Sequence, residues 1–294
     1  MDYQRFIVNT PPDSRVRLIN YPDNPFISKT MLTAIEAKKD EDKEEYDHIY
    51  LGVPRSDDEM AIIKRSWLEA AVDAHIKLDM DLSGRKTVGY DVADSGEDKN
   101  ATVLFDGCIA MECDEWKAGE DELQESAKRA WDKVGNGELI YDSIGVGAHV
   151  GSTLKNLGKN RYHKFNAGGA VMHPDKEYAP KIKNKEKFEN LKAQAWQSVA
   201  DRLRNTYNAV NKGMKFEPQE LISISSEIDG LESLKSELAT PHKDTSKRGL
   251  DMVESKKDLA KREVKSPNKA DAFVMAACPD LVQIKPFNQK VMFA

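Results

Sequence analysis

The spacing of apolar residues changes period several times along this chain. From Lys86 onward it has a period of two: "KTVGYDVA", "NATVLFDG" and "CIAMECDEW" alternate between apolar and polar residues and are separated by turn residues. That pattern predicts three short strands in an antiparallel meander. Helical spacing returns in "GEDELQESAKRAWDKV". "ELIYD" is then a short apolar strand, followed by a glycine-containing turn, the helix "AHVGSTLKNLG" and a further strand in "YHKFNAG". The stretch "NKEKFENLKAQAWQSVADRLRNTY" places Phe188, Leu191, Ala195, Val199 and Leu203 on one stripe and is expected to be the longest helix. "LKSELATP" and "GLDMVES" look like strands, and "SPNKADAFVMAAC" looks like a helix, with Ser266 as its N-cap and Pro267 at its first position.

Three strands followed by alternating helix and strand predict an α/β architecture, a mixed sheet with helices on its faces. Residues 1–83 differ from this. "MLTAIEAKKDEDKEEYDHIYLG" begins as a helix and becomes a charge-dense surface, "PRSDDE" is a loop, and "MAIIKRSWLEAAVDAHI" is helical again. With "LSGRK" as the linker, the expected division is a mainly helical segment, 1–83, and a sheet domain, 84–294.

Composition narrows the function. At 294 residues, 39% hydrophobic and 32% charged, the chain can bury a sizeable core, and no apolar run is long enough to span a bilayer. No membrane role and a cytoplasmic location are expected. Cys108, Cys113 and Cys278 lack paired spacing, and the six histidines lack HExxH or clustered spacing, so disulfides and zinc are not indicated and carboxylates are left as the candidate metal ligands. The net charge of −6 argues mildly against coating nucleic acid, but its distribution weakens that objection. Residues 36–59 hold ten acids against four bases, and residues 155–192 hold ten bases against four acids, so a basic surface fits on an acidic protein.

Three aspartates stand at element ends. Asp91 shares a strand face with Gly89 and Ala93, small neighbours that suit a face kept open; the plainer alternative is an edge-strand acid in water. Asp142 ends "ELIYD", where ligands gather outside strand carboxyl ends, or it is only an Asx-turn residue. Asp271 lies beyond the expected first turn of a core-packed helix, so something cationic should face it, whether an ion or a lysine. Carboxylates brought together repel unless divalent cations neutralise them, and an all-oxygen set favours Mg²⁺ or Mn²⁺. Two such ions suit phosphodiester cleavage.

The ordered set "VGYDVADSGEDKNATVLF", "LIYDSIGVGAHVGSTL", "FENLKAQAWQSVADRL" and "VESKKDLAKREVKSPNKADAFVMA" resembles the nuclease domain of the phage terminase large subunit over about residues 85–280. The resemblance implies a ribonuclease H-like fold, two-metal cleavage of double-stranded DNA, and a role in cutting concatemeric genomes during packaging, with the terminase small subunit and the capsid portal as partners in the host cytoplasm. It puts the metal-binding acids on Asp91, Asp142 and Asp271. "YPDNPFISKTMLTAIEAKK" to "YDHIYLG" resembles the end of the same family's ATPase domain, yet no GxxxxGK[ST] is present. The chain is therefore expected to be a fragment, the product of a divided gene, or a piece beginning near the end of the motor, and not to translocate DNA by itself.

Secondary candidates surround these. Asp94 and Asp98 could supply a further ligand, whereas Glu97 fits turn chemistry. Lys256 and Lys257 could contact the scissile-strand phosphate, and Lys181, Lys183 and Lys185 could track the DNA backbone; a solvated helix face is the plain alternative. "GVGAHVG" could be a dinucleotide turn, but its spacing departs from GxGxxG and close packing is the simpler account. Beside the endonuclease stand two other readings: a non-cleaving DNA-binding or regulatory module that needs the missing motor, and an unrelated nucleotide-binding α/β enzyme.

Overall fold

A computed structural model describes residues 19–41, 46, 49–51, 60–80, 84–93, 98–118 and 120–282. The chain divides into two compact units, Met1–Asp58 and Glu59–Ala294. In the first, helix α1, Lys29–Glu41, buries Ile35, and Tyr21 meets Tyr46 and Tyr50 edge-on, with the Tyr21 and Tyr46 hydroxyls 2.8 Å apart.

The second unit begins earlier than hydropathy suggests. Helices α2, Arg65–Ala71, and α3, Ala74–Lys77, read from the sequence as part of the N-terminal segment, belong to the sheet unit. Leu68 and Ala71 are fully buried in the main core, and Val72 makes a parallel bridge to Ile224. Helical periodicity shows that a helix has an apolar face but not what covers it, and so the packing boundary falls at 58/59 instead of 83/84.

Strands β1, Lys86–Asp91, β2, Asn100–Asp106, and β3, Ile109–Trp116, form the expected antiparallel meander, with Asp91 opposite Ala101 and a bulge in the β2–β3 ladder at Leu104/Phe105. Parallel neighbours need a long crossover. Helix α4, Leu123–Asp132, supplies it and delivers β4, Glu138–Asp142, beside β1. Helix α5, Val150–Asn156, then leads to β5, Tyr162–Phe165, parallel to β4. The short β8, Ser223–Ile224, joins the far edge, giving the order β5-β4-β1-β2-β3-β8.

Alternation along these strands sorts the core into two layers. Val88, Tyr90, Leu139 and Tyr141 pack with α4 and α5 residues on one face. On the other face Ala101, Val103, Phe105 and Ile140 meet two helices, α7, Leu191–Lys212, and α10, Asn268–Ala277. Gly89 belongs to this second face and lies directly under α10: a Cβ there would sit 1.9 Å from the Ala272 carbonyl oxygen. Its small size therefore closes the face against a helix, where the sequence suggested an open one. Thr87 adds a hydrogen bond from its hydroxyl to the Ala276 carbonyl at 2.8 Å.

Three element readings need correction. The expected continuous helix from 184 is interrupted: a short α6, Asn184–Lys187, precedes α7, and Asn190 caps α7 by accepting from the Ala193 N–H at 2.9 Å. "LKSELATP" is mainly helical, within α8, Leu231–Ala239, because Leu234 and Leu238, four residues apart, are both fully buried on one stripe. Helix α10 starts one residue late, with Pro267 at the cap position and the Ser266 hydroxyl unbonded. Its first N–H groups are satisfied from another helix: Glu237 of α8 accepts from Lys269 N at 2.8 Å and Ala270 N at 3.3 Å. "GLDMVES" does contain a strand, β10, Asp251–Val253, paired with β9, Lys243–Thr245. A further hairpin joins β6, Glu177–Ala179, to β7, Ile182–Lys183. All three cysteines are free thiols, and no described helix is long and apolar enough to cross a membrane.

Candidate metal centre

Adjacent parallel strands end side by side, so Asp91 at the end of β1 and Asp142 at the end of β4 come out at the same edge. Asp91 has the parity of Gly89 and Asp142 that of Ile140, which puts both on the face covered by α10. Asp271 is carried by α10 itself and, because the helix starts at Asn268, lies in its first turn, nearer the positive end of the helix dipole than the sequence suggested. These three carboxylates line one pocket of about 360 Å³, together with Asp98, Lys192, Trp196 and Lys256 and an apolar wall that includes Val92, Ile144, Phe165 and Met275.

The three aspartates are held differently. Asp91 is only 5% exposed and accepts no hydrogen bond among the described residues. It stands on a strand flanked by β4 and β2, which rules out the edge-strand alternative. Burial raises its pKa well above the ordinary carboxylate range, and Asp271 and then Asp142 push the same way against Lys256 and Lys192. Asp142 accepts from the Ile144 N–H at 3.1 Å, so it closes an Asx turn while lining the pocket. Burial, aided by Asp271, holds it above its usual pKa despite that hydrogen bond and the two lysines. Asp271 is paired: Lys192 Nζ lies 2.9 Å from Oδ2, and the indole N–H of Trp196 donates to Oδ1 at 3.2 Å. Burial works against the charge on Lys192, but Asp271, followed by Asp91 and Asp142, outweighs it and raises the lysine above its ordinary value.

Lys192 and Trp196 are the residues that sequence reading missed. The stripe through Leu191, Ala195 and Val199 marks the core-facing side of α7, and their immediate neighbours point to the pocket beside it. Only the expectation of a cation facing Asp271 hinted at them. Among the secondary candidates, Asp98 lines the pocket, half exposed, with its carboxylate 3.9 Å from Lys256. Asp94 and Glu97 lie outside the described residues. Lys256 lines the pocket, and Lys257, next to it on α9, Lys256–Lys261, is exposed. Lys183 and Lys185 close on Asp175 at 3.4 and 2.8 Å, and with the exposed Lys181 they lie away from the pocket lining, on and beside the β6–β7 hairpin. In "GVGAHVG" Gly147 and Gly151 serve packing, since a Cβ on Gly147 would meet the Asp142 carbonyl oxygen and one on Gly151 the Tyr141 hydroxyl, while Gly145 takes a left-handed φ of 59° with open space around it.

The donor set suits a hard divalent ion, since it consists of carboxylates, two of them raised by burial and mutual repulsion and one buried with no hydrogen-bond partner among the described residues. Among the described residues, no three His, Cys, Asp or Glu side chains yet converge closely enough to enclose an ion.

No family model and no curated protein matches the chain. Solved structures do. The nuclease domain of the large terminase subunit gp2 of bacterial virus Sf6 is 29% identical, with a TM-score of 0.69 over 74% of this chain and 98% of that one. A lysine-to-alanine variant of that domain, solved with manganese and β-thujaplicinol, is 28% identical with a TM-score of 0.69 over 74% of this chain and 98% of its own. The same type of variant with calcium is 28% identical with a TM-score of 0.68, covering 74% and 99%. The mixed six-stranded sheet with flanking helices is thus a ribonuclease H-like fold, and the resemblance to phage large-terminase nuclease domains holds in three dimensions as well as in sequence.

Proposed function

We propose that the chain is an Mg²⁺- or Mn²⁺-dependent endonuclease that cuts double-stranded DNA with two ions held by Asp91, Asp142 and Asp271, as part of the terminase large subunit that packages a phage genome. The observation that carries this reading is the meeting of three aspartates from two adjacent strand ends and a covering helix in one pocket, the most buried of them accepting no hydrogen bond among the described residues. The Sf6 nuclease domain, solved with manganese and with calcium, supports a divalent ion at such a site. An ion pair bound there supplies an activated water and neutralises charge at the leaving oxygen.

The chain's own groups do the positioning. Asp91 is fixed by the centre of the sheet, and the Ile144 N–H turns one oxygen of Asp142 aside and leaves the other for a ligand role. Asp98, which lines the pocket, is proposed as an additional ligand, and Asp94 as a further candidate. Lys256 offers an ammonium to the phosphate entering the pocket, and Lys257 to the phosphate next along the strand. Lys181, Lys183 and Lys185 would contact the duplex farther out. The small subunit and the capsid portal are the partners this role implies, and the host cytoplasm is its place.

Incubation of supercoiled plasmid with the protein and Mg²⁺ or Mn²⁺ should yield nicked and linear DNA, and Asp91→Asn or Asp271→Asn should slow this on the order of a thousandfold. Undiminished cleavage by Asp91→Asn would sink the assignment. DNA bound but uncut with either ion would favour the non-cleaving module, and tight dinucleotide binding the unrelated enzyme.

A further inference from the structure

Both oxygens of Asp271 are already engaged. Lys192 Nζ is 2.9 Å from Oδ2 and 2.9 Å from Oδ1, and Trp196 Nε1 is 3.2 Å from Oδ1. Lys192 and Trp196 are four residues apart on α7, so one helix face presents both to the same carboxylate on α10. The clasp has a rigid half and a mobile half. The Trp196 ring is 1% exposed and packed in the core with Leu191, Ala195 and Val199, whereas Lys192 is 25% exposed at its side chain and ends a flexible four-carbon stem. Its ammonium is thus the positive charge paired with Asp271 among the described residues, in the pocket where the proposed ion would bind.

We infer that Lys192 is the resident counter-ion of the metal centre: it holds Asp271 in the metal-free protein, must release it when a divalent ion is taken up, and thereby sets how tightly that ion binds. The inference rests on the metal-site reading above and adds a competitor to it. Trp196 cannot swing away, so it keeps Asp271 oriented while the lysine leaves. Lys192 acts through Asp271 and is a positioning residue.

Calorimetric titration of the whole chain with Mn²⁺ tests this without any cleavage assay. Lys192→Met keeps the stem and removes the charge, and should bind Mn²⁺ about tenfold more tightly or better than wild type. Lys192→Arg keeps a cation on Asp271 and should stay within about threefold of wild type. Without metal, Lys192→Met should melt about 3 °C lower, with Mn²⁺ closing the gap. Should Lys192→Met fold poorly, Lys192→Gln takes its place and should also bind more tightly. Affinity unchanged or weakened in the uncharged variant, while Asp91→Asn loses Mn²⁺ binding, would overturn the inference and leave the metal site standing. Wild-type protein that takes up no Mn²⁺ would overturn both.

Discussion

An aspartate that is buried beside two others and accepts no hydrogen bond among the described residues is costly to keep charged, and Asp91 is in that position. Function and stability therefore pull apart there. Asp91→Asn should slow cleavage on the order of a thousandfold and yet raise the stability of the metal-free protein by about 1 kcal/mol, measurable as a higher denaturant midpoint in EDTA; a lower midpoint would show that the carboxylate is better satisfied than its surroundings indicate. The pH dependence follows with the same sign. Asp91 and Asp142 have folded pKa values raised above their unfolded ones, so the cost is fully present above the raised values and is relieved as pH falls through them toward the ordinary carboxylate range. Metal-free protein should gain stability from these two groups in that window, while metal affinity and cleavage fall as they take up protons; cleavage at pH 5 equal to that at pH 8 would contradict this. At this scale the sequence was informative about acids, because an aspartate at a strand end or inside an apolar helix violates local preference. It was silent about Lys192, whose partner is 79 residues away and whose own helix gives a charged residue no reason to be noticed.

The decisive element is α10, and besides the Thr87 hydrogen bond two contacts seat it. Gly89 lets it lie on the sheet, and Gly89→Ala would place a methyl group against the Ala272 carbonyl, costing about 3 kcal/mol by chemical denaturation. Glu237 caps it from α8 and also neutralises the buried Lys269, whose Nζ lies 3.2 Å from Oε1. Glu237→Ala leaves two N–H groups and a buried ammonium without that carboxylate, and should cost about 3 kcal/mol, with Glu237→Gln losing less because it can still cap. The meander, β4 and the body of α7 were readable from period and turn residues, but not the break that makes α7 begin at Leu191. The identity of α8 was not, because a run of five residues with leucines at its ends fits both periods until something covers it, and the true cap of α10 was invisible because it comes from a residue some thirty positions upstream.

At the scale of the molecule, the sheet order was only partly readable: a meander followed by alternating helix and strand fixes β3-β2-β1 as neighbours, while the places of β4, β5 and β8 depend on crossovers. The packing boundary is testable. A chain beginning at residue 59 should give a cooperative thermal transition, whereas one beginning at 84 loses Leu68 and Ala71 from the core and should not; equal melting of the two would move the boundary back to 83. The long separation between the two sides of the centre has a further consequence, in time. Thr87 bonds to a carbonyl 189 residues later, and the helix that accepts it also carries the third aspartate. During synthesis the strands bearing Asp91 and Asp142 leave the ribosome well before α10 exists. In the proposed nuclease, a nascent or C-terminally nicked chain without α10 would hold two of the three aspartates and would not cut, so that completion of the polypeptide would itself be the arming step.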